Sequence, residues 1–120
     1  MSPRALFLHG AGAWGGQWAI WQRLFEAEGW RVDAPDFEPA AGGLAATRLD
    51  DYVAQAVDAV ESAPVDVLVG ASLGGLLAVA AMARVAPASR PRALVLVNPL
   101  PPAPWIVAVP SFTDSSDVVP

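Results

Sequence analysis

The sequence has 120 residues, which is enough for one domain and hardly more. It contains no cysteine, which excludes a disulfide framework, a thiol nucleophile and a metal site with cysteine ligands. The net charge of −5 argues against nucleic acid and anionic membrane surfaces as partners.

Four short apolar runs predict β-strands, and the longer segments between them predict helices. The predicted strands cover residues 5–8, 30–34, 65–69 and 93–97. Of the predicted helices, the first covers residues 17–28, the second starts at a capping box, Thr47-x-x-Asp50, and ends at Ala63-Pro64, and the third covers residues 73–85. This alternation predicts an α/β fold, with a parallel sheet of about four strands and helices on both faces.

The turn between the third strand and the third helix carries the motif Gly70-x-Ser72-x-Gly74. Such an abrupt passage from strand to helix forces Ser72 into a strained backbone conformation. The positions two residues away on either side come so close that only glycine avoids a clash. The turn lifts the Ser72 hydroxyl above the end of the sheet and points the Leu73 N–H toward the same place. The motif predicts a nucleophile elbow; the alternative is an ordinary glycine-rich turn.

A second motif, in the loop after the first strand, predicts a different function. Gly10-x-Gly12-x-x-Gly15 matches the dinucleotide-binding fingerprint, and Asp33 lies about 20 residues further on, near the end of the next strand. A small dinucleotide-binding domain is therefore an alternative. Two features count against it: Gly15 is predicted in the loop rather than in the helix, and the Ser72 turn is left unexplained.

Three segments together resemble a known family. His9-Gly10 follows the first strand, the Ser72 turn follows the third, and the segment between the first helix and the next loop ends in Pro35-Asp36. In this order and at this separation they make the chain similar to the α/β-hydrolase superfamily, specifically to the N-terminal half of an esterase- or lipase-like serine hydrolase. The resemblance extends from residue 4 to about residue 98.

The resemblance implies a role for each motif. Ser72 would attack the acyl carbonyl of a small-molecule carboxylic ester, and the backbone N–H groups of Ala11 and Leu73 would form the oxyanion hole. The residues that would support this geometry are His9, Gly10, Gly70 and Gly74. No metal or other cofactor is implied. Trp14 would either line the acyl pocket or pack beside the loop.

The sequence departs from the family at the base and the acid. The family's chain order is Ser, then Asp or Glu, then His, but the only histidine here is His9, which we expect to shape its loop rather than act as a base. Asn98 occupies a place where some members carry the acid, and Asp114 and Asp117 are weak candidates for it. We therefore expect a truncated or incomplete enzyme, with residues 1–98 as the N-terminal part of the domain and residues 99–120 as a Pro-rich tail, a loop or the start of a lid region.

The last predicted strand would form an open, apolar sheet edge. We expect residues 93–97 to pair with a second copy of this chain or with a complementing chain, and a non-catalytic interaction module is a further alternative. Residues 67–83 carry no charge, yet their glycines and serine favour a strand and helix over a membrane span. The apolar run after Arg4 is shorter than a signal-peptide core, so a cytoplasmic location is expected.

Overall fold

The computed structural model describes residues 2–101, in which strands and helices alternate along the chain. The strands are β1 (Arg4–Leu8), β2 (Arg31–Asp33), β3 (Val67–Ala71) and β4 (Ala93–Val97). The α-helices are α1 (Ala19–Ala27), α2 (Leu49–Glu61) and α3 (Leu73–Arg84). Short 3₁₀ helices precede α1 at Gly15–Trp18, precede α2 at Leu44–Ala46 and follow α3 at Pro87–Ser89.

The four strands form one parallel sheet in the order β2-β1-β3-β4, which confirms the predicted α/β fold. All five residues of β1 are buried, as expected of a central strand covered on both faces. Because side chains alternate along a strand, Leu6 and Leu8 face one layer and Ala5 and Phe7 face the other. The sheet therefore separates two hydrophobic clusters.

One cluster lies under α2 and α3, and the other lies under α1. In the first, Leu6 and Leu8 pack with buried residues of both helices, among them Val53 and Leu77. In the second, the Phe7 ring lies 5.0 Å from the Trp18 ring and 5.2 Å from the Phe25 ring, measured between centroids. The helices thus cover both faces of the sheet, and the ends of the strands are left for the loops.

The predicted capping box of α2 is wrong in its position. The Thr47 hydroxyl instead accepts a hydrogen bond from the Ala40 N–H and donates one to the Gly43 carbonyl, both at 2.8 Å, so it stabilises the preceding loop. The N-cap is Arg48, one residue later than predicted, and the Asp51 carboxylate accepts the Arg48 N–H at 2.7 Å. Asp50 and Asp51 are adjacent, so the sequence allows a capping box at either position, and the Thr47 hydroxyl is already bonded within the loop.

Strand β4 is an edge of the sheet within residues 2–101, as predicted. Val95 and Leu96 are 42% and 39% exposed, so the edge carries apolar side chains. Nearly all of the segment predicted as a Pro-rich tail, including Asp114 and Asp117, lies outside the described residues. None of the helices in the described part is long and apolar enough to cross a membrane.

Candidate active site

Ser72 occupies the sharp turn between β3 and α3. Its backbone has φ 53° and ψ −120°, a conformation that L-residues rarely adopt and that costs about 1–3 kcal/mol. The turn is held from both sides: the Ser72 N–H donates to the Val97 carbonyl at 3.0 Å, and the Ser72 carbonyl accepts the Gly75 and Leu100 N–H groups, each at 3.0 Å. The residue itself is exposed. The strained conformation that the sequence predicts is present.

The glycines on either side of Ser72 permit this turn. A Cβ atom on Gly70 would overlap the Gly74 carbonyl oxygen, and a Cβ atom on Gly74 would overlap the Leu8 carbonyl oxygen. Both obstacles are backbone atoms of buried elements, which a change of side-chain rotamer does not relieve. The close approach predicted from Gly70-x-Ser72-x-Gly74 is therefore observed, and it extends to the end of β1.

The loop that follows β1 runs directly beside Ser72. A Cβ atom on Gly10 would lie 3.1 Å from Ser72 Cβ and 3.6 Å from Ser72 Oγ. Next to Gly10, the backbone N–H of Ala11 has no hydrogen-bond partner among residues 2–101, and neither has the N–H of Leu73, the first residue of α3. The structure thus brings two free backbone donors and an exposed hydroxyl to one end of the sheet. Such donors suit an oxygen on which negative charge develops.

His9 lies at the start of this loop with both ring nitrogens engaged. Its Nδ1 is 2.8 Å from the Gly10 carbonyl oxygen, and its Nε2 accepts the Phe37 N–H at 3.2 Å. The neutral ring with the proton on Nδ1 satisfies both contacts, because a carbonyl only accepts and an amide N–H only donates. The ring is 8% exposed and packs edge-on against the Phe37 ring. His9 therefore joins two loops and has no nitrogen free to serve as a base for Ser72.

A second contact ties the same two loops together. The Gly15 N–H donates to Asp36 Oδ1 at 2.7 Å. Together with the bond between Phe37 and His9, this bond fixes both ends of the loop after β1 to the loop after β2. In the sequence, Pro35-Asp36 is notable only as one of the segments that carry the family resemblance. The carboxylate's partner lies 21 residues away, so no local pattern indicates the contact.

Beside the two free N–H groups lies a cavity of about 340 Å³. The loop after β1, the loop after β2 and helices α2 and α3 all contribute to its walls. The lining residues are His9, Gly10, Ala11, Gly12, Ala13, Phe37, Pro39, Leu44, Tyr52, Leu73 and Leu77. Trp14, which the resemblance offered as a pocket residue, is absent from these walls; it is 58% exposed and packs over Gly16. The sequence does not indicate that Phe37, Leu44 and Tyr52 line a common cavity, because the packing of the loops brings them together.

The residue expected to bind a ribose in the dinucleotide alternative is already engaged. Asp33 Oδ2 accepts the Arg4 Nε–H at 2.7 Å, and the buried Arg4 guanidinium also donates to the Ala63 carbonyl at 2.8 Å. Gly15, the third glycine of the fingerprint, packs against the Ala34 carbonyl after β2 rather than against β1. Within the described residues, no three His, Asp or Glu side chains are grouped as a metal site.

The chain is similar to one protein family and to several solved structures. The sequence model of the alpha/beta hydrolase family matches residues 5–118. A pyrethroid hydrolase from Sphingobium faniae JZ-2 is 26% identical, with a TM-score of 0.64 over 82% of this chain and 40% of its own. A polyneuridine aldehyde esterase is 26% identical, with a TM-score of 0.64 over 82% and 41% of the two chains.

A third solved structure is similar over more of the chain. Tomato methylketone synthase I, in complex with 2-tridecanone, is 25% identical, with a TM-score of 0.71 over 90% of this chain and 44% of its own. The chain therefore spans less than half the length of each of these three proteins. No curated protein sequence matches it.

Proposed function

We propose that this chain, which belongs to the alpha/beta hydrolase family, carries the nucleophile and the oxyanion donors of a serine hydrolase that acts on carboxylic esters. One observation carries the proposal: exposed Ser72, at φ 53°, lies at the same end of the sheet as the N–H groups of Ala11 and Leu73, which have no hydrogen-bond partner within residues 2–101. Two of the similar solved structures are named as a hydrolase and an esterase, which supports an ester as substrate.

The chemistry follows from the position of each group. Ser72 Oγ attacks the carbonyl carbon of the ester as a base takes its proton, and the carbonyl π electrons move onto oxygen. The N–H groups of Ala11 and Leu73 stabilise this oxyanion, and donors of this kind contribute about 10²–10³ in rate apiece. The oxyanion then collapses, the C–O bond to the alcohol breaks, and the departing oxygen takes the proton. Water then attacks the acyl carbon as the base takes its proton, the second oxyanion collapses, and the C–O bond to Ser72 breaks as Ser72 Oγ regains a proton from the base.

The base in this mechanism comes from outside these 120 residues. A serine hydroxyl is a poor nucleophile near neutral pH without a base within hydrogen-bond reach. His9 is the only histidine in the sequence, and contacts with Gly10 and Phe37 engage both of its nitrogens. Asn98 has no carboxylate, so it does not provide the orienting acid where some relatives carry one. A histidine and an acid from a further segment or a partner chain complete the site.

Edge strand β4 is the place where we expect that part to attach. A strand of the base-bearing segment would pair along β4, whose backbone edge is unpaired within residues 2–101 and whose Val95 and Leu96 side chains are exposed. The Ser72 N–H bonds to the carbonyl of Val97, the last residue of this strand. An added strand would therefore end close to Ser72. In this arrangement residues 1–98 form the first part of the catalytic domain, and residues 99–120 remain predicted from the sequence as a Pro-rich tail, a loop or the start of a lid region.

A second candidate function is an interaction module without catalysis. The observation that favours it is that His9 is fully engaged in loop contacts, while the sequence supplies no other histidine. In that case β4 would bind a partner protein, and Ser72 would remain unreactive. The two functions differ in the reactivity of one hydroxyl, which is measurable.

The experiment is covalent labelling of the purified chain with a fluorophosphonate, read by intact mass and peptide mapping. Imidazole is added in place of the missing base. We expect one adduct per chain, located on Ser72 and lost in Ser72→Ala. Ser89→Ala, a change at a serine outside the turn, is the matched control and should label like the wild type. A folded chain that stays unlabelled at Ser72 in imidazole would support the interaction module instead.

A further inference from the structure

We infer that the cavity beside Ser72 binds an uncharged hydrocarbon part of the ester in preference to one that carries a charge at its far end. The inference rests on the proposed function and adds the class of substrate. Its evidence is independent of the nucleophile, because it concerns the walls of the cavity. It is tested by binding rather than by turnover.

The cavity adjoins the place where the ester carbonyl would bind. Ala11 and Leu73, which carry the free N–H groups, both line it. A carbonyl oxygen that accepts these two donors puts its carbon near Ser72 and one of its substituents at the cavity. With about 340 Å³, the cavity is at the small end of ligand pockets, which span about 300–1,000 Å³. It accommodates roughly ten carbon-sized groups if each takes about the 30 Å³ of a water molecule.

Away from the N–H donors of Ala11 and Leu73 at one end, the walls offer no charged partner, and the hydroxyl of Tyr52 is their one side-chain hydroxyl within residues 2–101. They include the side chains of Phe37, Leu44 and Leu77, and no Arg, Asp or Glu lines the cavity in the described part of the chain. His9 contributes a ring whose nitrogens are already bonded. A charge that entered would lose part of its hydration and find no opposite charge on the walls, which is unfavourable. A hydrocarbon chain, in contrast, gains by leaving water.

Leu44 makes the inference testable without disturbing the fold. It lines the cavity, yet it is 75% exposed, so a lysine there keeps its ammonium group hydrated and costs little stability. Leu24 on α1 is a matched control. It is 64% exposed and lies on the other side of the sheet, so Leu24→Lys changes the net charge equally without changing the cavity.

The experiment compares two ligands by isothermal titration calorimetry on the whole chain. One is a medium-chain methyl ketone, whose carbonyl imitates that of an ester. The other is the same ketone with a carboxylate in place of its terminal methyl group. We expect the neutral ketone to bind at least about tenfold more tightly, which corresponds to about 1.4 kcal/mol. Leu44→Lys should reduce this preference by at least about fivefold, and Leu24→Lys should leave it unchanged.

Each outcome has a defined meaning. Equal affinities for the two ketones, failure of both to bind, or an equal effect of the two lysine variants would overturn the inference. Labelling of Ser72 is measured separately, so the two proposals can fail independently. A labelled Ser72 with no preference for the neutral ketone removes only the substrate class. An unlabelled Ser72 with a clear preference removes the hydrolase and leaves a cavity for uncharged ligands.

Discussion

Gly74→Ala should destabilise the protein, although alanine is the better helix former. Gly74 is in the first turn of α3, where the helix passes the end of β1. The added Cβ would overlap the Leu8 carbonyl oxygen and lie 2.6 Å from the His9 carbonyl oxygen and 2.7 Å from the Leu8 carbonyl carbon. All three are backbone atoms, and Leu8 is fully buried, so relief requires the helix to move away from the strand.

The magnitude follows from two opposing effects. Overpacking a tightly packed interior costs about 1–3 kcal/mol, and three backbone overlaps place this site at the upper end. Alanine recovers about 1 kcal/mol of helix propensity over glycine. The expected net loss is about 2 kcal/mol in the free energy of unfolding.

Urea denaturation followed by tryptophan fluorescence measures this loss. Ser72→Ala is the control within the same turn, because the exposed Ser72 hydroxyl makes no hydrogen bond within residues 2–101. We expect it to stay within about 0.5 kcal/mol of the wild type. If Gly74→Ala also stayed within that range, α3 would not pass β1 as closely as described, and the geometry around Ser72 would need revision.

Three further predictions concern residues around the site. Arg4→Ala should lower the free energy of unfolding by about 2 kcal/mol in chemical denaturation, because it removes a buried guanidinium and its hydrogen bonds. Arg84→Ala breaks a solvent-exposed ion pair and should cost under about 0.5 kcal/mol, so equal losses would refute the contrast. Asp36→Ala should speed hydrogen exchange at the Gly15 amide about tenfold, as seen by NMR, since that N–H loses its acceptor; an unchanged rate would show that the contact does not hold the loop. Trp14→Ala should leave binding of the neutral ketone within about twofold, because this exposed side chain lies outside the cavity, and a large loss would place it in the wall after all.

The sequence predicts the fold well where the signal is local. The β-branched and apolar runs of β1 and β3 are buried on both faces, and their continuous hydrophobicity identifies central parallel strands. The turn at Ser72 is also local, because the strained residue and the flanking glycines all lie within five positions. Patterns of this length can be recognised without knowledge of the tertiary structure.

The remaining features depend on contacts between distant segments. Thr47 has the chemistry of a helix cap, but the loop at Ala40 and Gly43 uses its hydroxyl first. The engagement of His9 depends on the Phe37 N–H, 28 residues away. The cavity exists because two loops and two helices meet, and no single segment encodes its walls. The local pattern therefore identified Ser72 and the Leu73 N–H as candidates, and the family resemblance added the Ala11 N–H, while the surroundings of the site required the structure.

The imidazole dependence of Ser72 labelling is the decisive measurement, because the chain is proposed to hold the nucleophile and its oxyanion donors but not the base. The rate of fluorophosphonate labelling at Ser72 is measured by mass spectrometry as imidazole is added. We expect slow labelling without imidazole and a rate that rises with the concentration of neutral imidazole, with no labelling in Ser72→Ala. A rate that is independent of imidazole, or an adduct on another serine, would contradict this expectation.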